Sequence, residues 1–171
     1  MLTGLILADG TFKSQLALGE APLLQEQIQL MRHICSEIIV VTQDPKSFYP
    51  LLDLSIRLIT DFLPGKGPLS CLYAGFSLAQ FQDVWVANGD WPLLNVDAIE
   101  LLLERKRSGF DAAIPMVNDI NYPLQGVYDR SCAAKTLPLL NRDMTTVEAL
   151  LREIRWSSFS VTMLDVNKVV S

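Results

Sequence analysis

The sequence predicts an α/β fold in three layers, α/β/α, with a mostly parallel sheet and helices on both faces. Three observations carry that expectation. Short apolar runs alternate with amphipathic segments along most of the 171 residues. The runs are continuously apolar, the pattern of strands buried on both faces. Most of them end in Asp, Asn, Thr or Gly, residues that turn a chain or cap a helix.

The elements follow in order. Residues 4–8 are a first buried strand, ended by Asp9-Gly10. Pro22 fits a first helical position, and Leu23, Leu24, Ile28, Leu30 and Met31 give residues 22–32 an apolar helical face. Residues 38–42 are β-branched and continuous, a second strand. A short helix over 47–52 precedes a third strand over 56–60, which ends at Asp61. Phe62 to Pro68 reads as a loop, and 69–79 as a helix rich in small residues. The fourth strand is 84–87, with 88–92 as the turn after it. A helix over 96–106 closes at Ser108-Gly109 and leads to a fifth strand over 112–116. Residues 118–128 break the rhythm and are the place for an antiparallel element, with 124–128 as a strand. A helix over 131–140, a helix capped by Asp143 or Thr145 and running to Ile154, and a strand over 159–164 complete the reading. Four β–α alternations imply parallel strands with helices on both sides. With no repeat, linker or low-complexity stretch, one domain over 1–171 is expected.

Composition narrows the function. Half the residues are hydrophobic and 19% are charged, which excludes a disordered or collagen-like chain. A net charge of −5 argues against a nonspecific nucleic-acid coat or a polybasic membrane anchor. No apolar run is long enough to cross a membrane, and no basic segment precedes an apolar stretch near the start. Cys35, Cys71 and Cys132 are scattered and never form a CxxC pair. Together these predict a cytoplasmic protein with reduced, mostly buried thiols and no membrane or nucleic-acid partner. His33, the single histidine, reads as a C-terminal-turn residue of the first helix.

In an open α/β sheet, ligands bind beyond the carboxyl ends of the strands. The polar residues at those ends are Asp9, Gly10, Thr11 and Lys13, then Thr42, Gln43 and Asp44, then Asp61 and the 65–68 loop, then Asn88, Gly89 and Asp90. Carboxylates and a lysine on one rim suit a magnesium–phosphate site, because magnesium takes one or two carboxylates and fills its shell with phosphate oxygens and water. The same residues also serve as ordinary turns and caps. No GxGxxG follows the first strand, and GxxxxGK[ST], GxSxG and HExxH are all absent. Trp85, Trp91 and Trp156 read as packing residues, Lys66 as a solvated loop lysine, and Arg105, Lys106 and Arg107 as a basic cluster explained by the helix dipole.

These residues resemble a known family, the molybdenum cofactor guanylyltransferases, within the nucleotidyltransferases of nucleotide-diphospho-sugar transferase-like fold. Ile6-Leu7-Ala8-Asp9-Gly10 is similar to the family's I-L-A-G-G, and Gly19 to Leu24 to its G-x-x-P-L-L. Asp61 with Gly67-Pro68-Leu69 resembles its D…GPL element, and Val86 to Leu93 its strand-four C-D-x-P. Pro123 to Tyr128 is similar to P-L-x-A-x-Y, and Asp165 to Asn167 faintly to the closing N-x-N-T-P. The resemblance implies transfer of GMP from GTP to molybdopterin with release of pyrophosphate. It implies Asp90 as the magnesium ligand at the α-phosphate, and Lys13 as the lysine that steadies the phosphates. Leu7, Ala8, Asp9 and Gly10 would contact the nucleotide, Thr42 would lie within one position of a polar residue near the base, and Asp61 would hold the nucleoside. Proteins of cofactor insertion are the partners this implies, and 118–128 is where the acceptor would be sought.

The family's signature loop, S-x-R-M-G-x-D-K, is shortened here: only Thr11 and Phe12 separate Gly10 from Lys13, and Asp9 stands where the family has a loop glycine. Two alternatives therefore accompany the guanylyltransferase expectation. One is a non-catalytic relative that binds nucleotide, molybdopterin or a partner protein. The other is a transferase using another nucleotide, such as CTP, or a sugar-phosphate acceptor.

Overall fold

Eight strands form one sheet in the computed structural model, which describes residues 1–10, 12, 14–15, 22–89 and 94–162. They are β1 (Leu2–Leu7), β2 (Glu37–Thr42), β3 (Arg57–Thr60), β4 (Asp83–Asn88), β5 (Ala112–Val117), β6 (Ile120–Asn121), β7 (Val127–Asp129) and β8 (Trp156–Ser160). The order is β3-β2-β1-β4-β7-β5-β6, with β8 also paired to β5. β3, β2, β1 and β4 run parallel, β7 is antiparallel to both β4 and β5, and β8 is parallel to β5. The antiparallel element expected within 118–128 is thus β6 and β7. Asn118 and Asp119 both adopt positive φ, 51° and 64°, the pair of left-handed residues a tight hairpin turn requires.

The helices are α1 (Pro22–Arg32), α2 (Pro45–Phe48), α3 (Gly67–Leu78), α4 (Val96–Arg107), α5 (Ala133–Leu140) and α6 (Val147–Leu151). Alternate strand residues feed two cores. Ile6, Val40, Trp85 and Ala113 pack with Leu24, Ile28, Ile99 and Leu102 of α1 and α4. Leu5, Val41, Val86 and Ile114 pack with Leu69, Leu72, Leu139 and Leu150 of α3, α5 and α6. This is the expected three-layer arrangement. Among the described residues no helix is long and apolar enough to cross a membrane.

α3 sits unusually near β1. A Cβ on Gly75 would lie 2.3 Å from Leu5 Cδ2 and 2.9 Å from Leu5 Cγ, and Leu5 is fully buried. Gly75→Val is therefore expected to lower stability by about 1–3 kcal/mol through overpacking. Urea unfolding checks this: the midpoint falls while the slope stays the same.

Four sequence expectations are corrected. The last strand lies at Trp156–Ser160, because pairing with β5 sets Trp156 opposite Ala112; of the expected 159–164 run, 163 and 164 fall outside the described residues. α6 begins after Thr146, with no side-chain cap bond, and neither Asp143 nor Thr145 caps it. Residues 123–125 form a 3-10 turn rather than the start of a strand, consistent with a proline that has no amide to give a ladder. The basic cluster needs more than a helix dipole: buried Lys106 donates to Asp83 at 2.6 Å and to Asp129 at 2.7 Å, and Arg107 donates twice to Asp83.

Candidate functional site

Parallel strands on both sides of β1 create a switch point: β2 and β3 lie on one side of it, β4 on the other. Such a point leaves a crevice beyond the strand ends. A cleft of about 270 Å³ opens there. Leu7 and Asn88, paired in register at the ends of β1 and β4, form part of its lining. Asp9 and Gly10 follow β1 into it, Gln43 follows β2, and Gly89 follows β4. Gly67, Pro68 and Cys71 from the start of α3 complete one wall, and Leu124 contributes another part. A wider depression of about 630 Å³ lies around Met1, Leu2 and Arg107, at the amino end of β1.

Local geometry shows what each side chain does. Gly10 has φ 61°, a conformation most side chains resist, so glycine suits the turn out of β1. Asp9 is half-buried, and its Oδ1 accepts from Thr42 Oγ1 at 3.2 Å and from the Gln43 amide at 3.5 Å. Thr42 Oγ1 in turn accepts from the Asp44 amide at 3.0 Å. Thr42 is fully buried and holds Asp9 in place rather than lining the cleft; Gln43, one position on, does the lining.

Asp61 is buried and also stands behind the wall. Its Oδ1 accepts from Ser70 Oγ and from the Leu63 amide at 3.0 Å, and its Oδ2 accepts from Cys71 Sγ at 3.5 Å. The carboxylate thereby ties the 62–66 loop to the first turns of α3. In this structure the Asp61 carboxylate is engaged by its own loop and by α3, and it does not line the cleft. Ala8 is likewise off the cleft: it is buried with Ile6 on the α1 side, and its amide donates to Val41 O at 2.8 Å. Leu7, Asp9 and Gly10 line the cleft. Lys13 and Asp90 lie outside the described residues.

The charge balance of the wall is negative. Asp9 is the one charged group lining the cleft among the described residues. Lys66, expected to be solvated, pairs with Asp143. The Leu69 amide in the first turn of α3 donates to Thr145 O at 3.2 Å, which satisfies one of the helix's unpaired end groups. Burial first, then the Asp61 and Asp9 carboxylates, push the Cys71 thiol far up. Burial pushes Cys35 up to about 12, and burial with Asp111 and Asp129 nearby takes Cys132 to about 12. The three thiols stay protonated at neutral pH and are poor nucleophiles.

Cys71 and Leu124 are wall residues that the strand-end reading passes over. A signal for Cys71 existed: it lies four residues after Gly67, hence one helical turn further along the same face. Leu124 follows no strand end; it lies within the 118–128 stretch named for the acceptor, and a 3-10 turn there brings it to the rim.

Residues 8–157 match the family model described as MobA-like NTP transferase domain.

The chain belongs to the MobA-like NTP transferase family.

Its relatives agree with that placement. It is 30% identical over 138 residues to a protein of Methanosarcina mazei named probable molybdenum cofactor guanylyltransferase, covering 76% of this chain and 59% of the relative. A protein of the same name from Chloroflexus aggregans is 33% identical over 135 residues, covering 74% and 61%. The chain thus spans about three fifths of the length of these curated relatives, 59% and 61%. Among solved structures, molybdopterin-guanine dinucleotide biosynthesis protein A of Archaeoglobus fulgidus shares the fold with a TM-score of 0.72 at 19% identity, covering 94% of this chain and 84% of that one. A 2-C-methyl-D-erythritol 4-phosphate cytidylyltransferase of Francisella tularensis superposes with a TM-score of 0.69 at 15% identity, covering 99% and 94%. The expected nucleotide-diphospho-sugar transferase-like fold and the family resemblance are both borne out.

Proposed function

We propose that this chain transfers GMP from GTP to molybdopterin and releases pyrophosphate. The observation that carries the reading is the cleft at the β1–β4 switch point, walled by Leu7, Asp9, Gly10, Gly67, Pro68 and Asn88 in a chain of this family. A terminal phosphate oxygen of molybdopterin attacks the α-phosphorus of GTP, and the bond from that phosphorus to the bridging oxygen breaks. Both new charges stay on phosphate oxygens, so the protein needs no covalent nucleophile; positioning and electrostatics suffice.

The chain's own residues divide that work. The turn at Gly10 brings backbone close to the phosphates, and Lys13 follows it to screen their charge. Asp9 is held by Thr42 and Gln43 at the mouth of the turn. Asp61 sets the α3 wall against which the nucleoside lies. Among the described residues no three potential metal ligands cluster, and magnesium does not demand that, since one or two carboxylates with phosphate oxygens satisfy it. Asp90, two residues beyond Asn88, would hold it, and magnesium would supply positive charge to the α-phosphate. The same reading treats 1–171 as one catalytic unit, places it in the cytoplasm, and hands the product to proteins of cofactor insertion.

A second reading, a non-catalytic relative that binds ligand or partner, is favoured by one observation: among the described residues Asp9 lines the cleft and no lysine or arginine does. One assay separates the two. The protein is incubated with GTP, magnesium and molybdopterin, and pyrophosphate and dinucleotide are quantified. Equal yields of both, abolished in Asp90→Ala with the fold intact, support the transferase. No product, together with a nucleotide-dependent thermal shift, supports the binding module; at a ligand concentration of 100 times Kd, binding adds about 2.7 kcal/mol. Competition among GTP, CTP, ATP and UTP identifies the base.

A further inference from the structure

A carboxylate on the wall of a phosphate-binding cleft repels its ligand unless it meets a part that carries no negative charge. Asp9 lines the cleft and is half-buried. Its two oxygens are not equivalent. Oδ1 accepts from Thr42 Oγ1 at 3.2 Å and from the Gln43 amide at 3.5 Å. Both donors are fixed in sense. A main-chain amide can only donate, and the Thr42 hydroxyl, which accepts from the Asp44 amide at 3.0 Å, has its one proton left to give. Oδ1 is therefore committed to the chain. Oδ2 makes no hydrogen bond among the described residues. The charge is felt at a second lining residue: after burial and Asp61, Asp9 is a further cause of the raised Cys71 thiol.

The side of the cleft on which Asp9 is held fixes what it meets. β1 lies between β2 and β4. Thr42 ends β2 and Gln43 follows it, so the Asp9 carboxylate is drawn to the β2 side. Asn88 ends β4 on the other side, and Asp90, the residue assigned magnesium above, is two positions on. A nucleoside triphosphate with its α-phosphate on the β4 side extends its base toward the β2 side. Leu7, Pro68 and Leu124 line the same cleft, apolar surface for the faces of a flat ring, and Asp9 is left for its polar edge.

We propose that the Asp9 carboxylate selects guanine, with Oδ2 accepting from the N1–H and the 2-amino group of the base. The proposal rests on the nucleotide reading above, and makes Asp9 a specificity-determining residue within it. Guanine alone among the four common bases presents two adjacent N–H donors on that edge. Adenine and cytosine set one amino group beside a ring nitrogen that accepts, and uracil sets one N–H between two carbonyls. Each of these turns a lone pair toward the carboxylate, and a site built to accept N–H groups rejects a base that lacks them.

The test is calorimetry on the full chain with magnesium and a set of triphosphates: GTP, ITP, which lacks the 2-amino group, XTP, which has an oxygen in its place, and ATP, CTP and UTP. The native chain is expected to bind GTP about tenfold or more tighter than ITP, the scale of a lost hydrogen bond to a charged group. Asp9→Asn keeps the size of the side chain. The Thr42 and Gln43 donors hold its Oδ1, so its NH2 takes the place of Oδ2 and presents a donor where there was an acceptor. This variant is expected to weaken GTP about tenfold or more and to prefer XTP to GTP, a reversal that a loosened or misfolded cleft cannot produce. Equal affinity of the native chain for GTP and ITP would refute the contact with the 2-amino group. Unchanged GTP binding in Asp9→Asn would remove Asp9 from recognition altogether. Equal losses for all the triphosphates would place the carboxylate on the ribose they share, and overturn its role at the base. Tighter native binding of ATP, CTP or UTP would overturn the choice of guanine while leaving a nucleotide site intact. Failure to bind any triphosphate would overturn the nucleotide reading itself, a result visible before any variant is made.

Discussion

Lys106→Met lowers the stability of the fold by about 3–5 kcal/mol, the cost of leaving buried charge without its partner. Lys106 has 5% of its side chain exposed, against 10% for Asp83 and 13% for Asp129. Methionine keeps the length and the apolar stem but removes the ammonium between two carboxylates. Burial alone would raise the Asp129 carboxyl, but hydrogen bonds from Lys106, Ser131 and Gln82 outweigh it and hold it well below the ordinary range. Burial opposes ionisation of Asp83 too, and Lys106 and Arg107 again outweigh it. Burial would lower Lys106, yet Asp129 and Asp83 raise it. The sign of the pH effect follows. Carboxylates depressed in the fold contribute stability above their unfolded pKa, about 3.9, and lose it as pH falls through the folded value. Lysine raised in the fold contributes below about pH 10.4 and loses it as pH rises through the folded value. The gap between native and Lys106→Met proteins is therefore widest near neutrality and narrows below about pH 4, where protonation relieves the two carboxylates that have lost the ammonium between them. Urea midpoints at pH 3.5, 5 and 7 check this; a gap that does not vary with pH would refute the electrostatic account.

Asp61→Ala is expected to cost stability and ligand affinity together, although Asp61 does not line the cleft. The Leu63 amide would lose its acceptor and Ser70 and Cys71 would lose theirs on the same carboxylate. A buried donor left unsatisfied costs about 1–3 kcal/mol. Because Gly67, Pro68 and Cys71 form the wall that Asp61 anchors, MgGTP affinity falls by about tenfold or more as that wall loosens. Asp61→Asn discriminates. Its Oδ1 still accepts from Leu63 and Ser70, so it should retain most of the stability and most of the affinity. Near-native stability with abolished binding in Asp61→Asn would instead show direct contact between the carboxylate and the ligand.

Much of the fold was legible because burial on both faces writes a continuous apolar run. Ile38 to Thr42 and Val84 to Ala87 are such runs, and each lies within a strand of the structure. β8 was misplaced for the opposite reason: Trp156-Ser157-Ser158-Phe159 is half-buried at the sheet margin and has no such signature. The site was legible as a rim. Strand ends named Asp9, Gly10, Gln43, Gly67, Pro68, Asn88 and Gly89 together, and all of them line the cleft. What composition and spacing could not convey is the direction of a carboxylate. Asp9 and Asp61 both follow strands, yet one reaches the cleft and the other turns back to its own loop. The partners of Lys106 were invisible too, since both lie 23 residues away and only sheet pairing brings them together.

Asp83 and Asp129 are register partners across the β4–β7 pairing. Like charges directly opposite one another repel, so this join carries a built-in obstacle to its own closure. The parallel block β1 to β4 comes from residues 2–88, and the antiparallel β5, β6 and β7 come from 112–129, each a locally connected piece. The two meet at β4 and β7. α4 spans the gap in sequence, and its last turn delivers the ammonium that makes the opposed aspartates compatible. Lys106 is thus a latch on a seam. Assembly of the two pieces is complete only when the connecting helix is in place, and acid, which protonates the pair, removes the obstacle and the latch's hold alike.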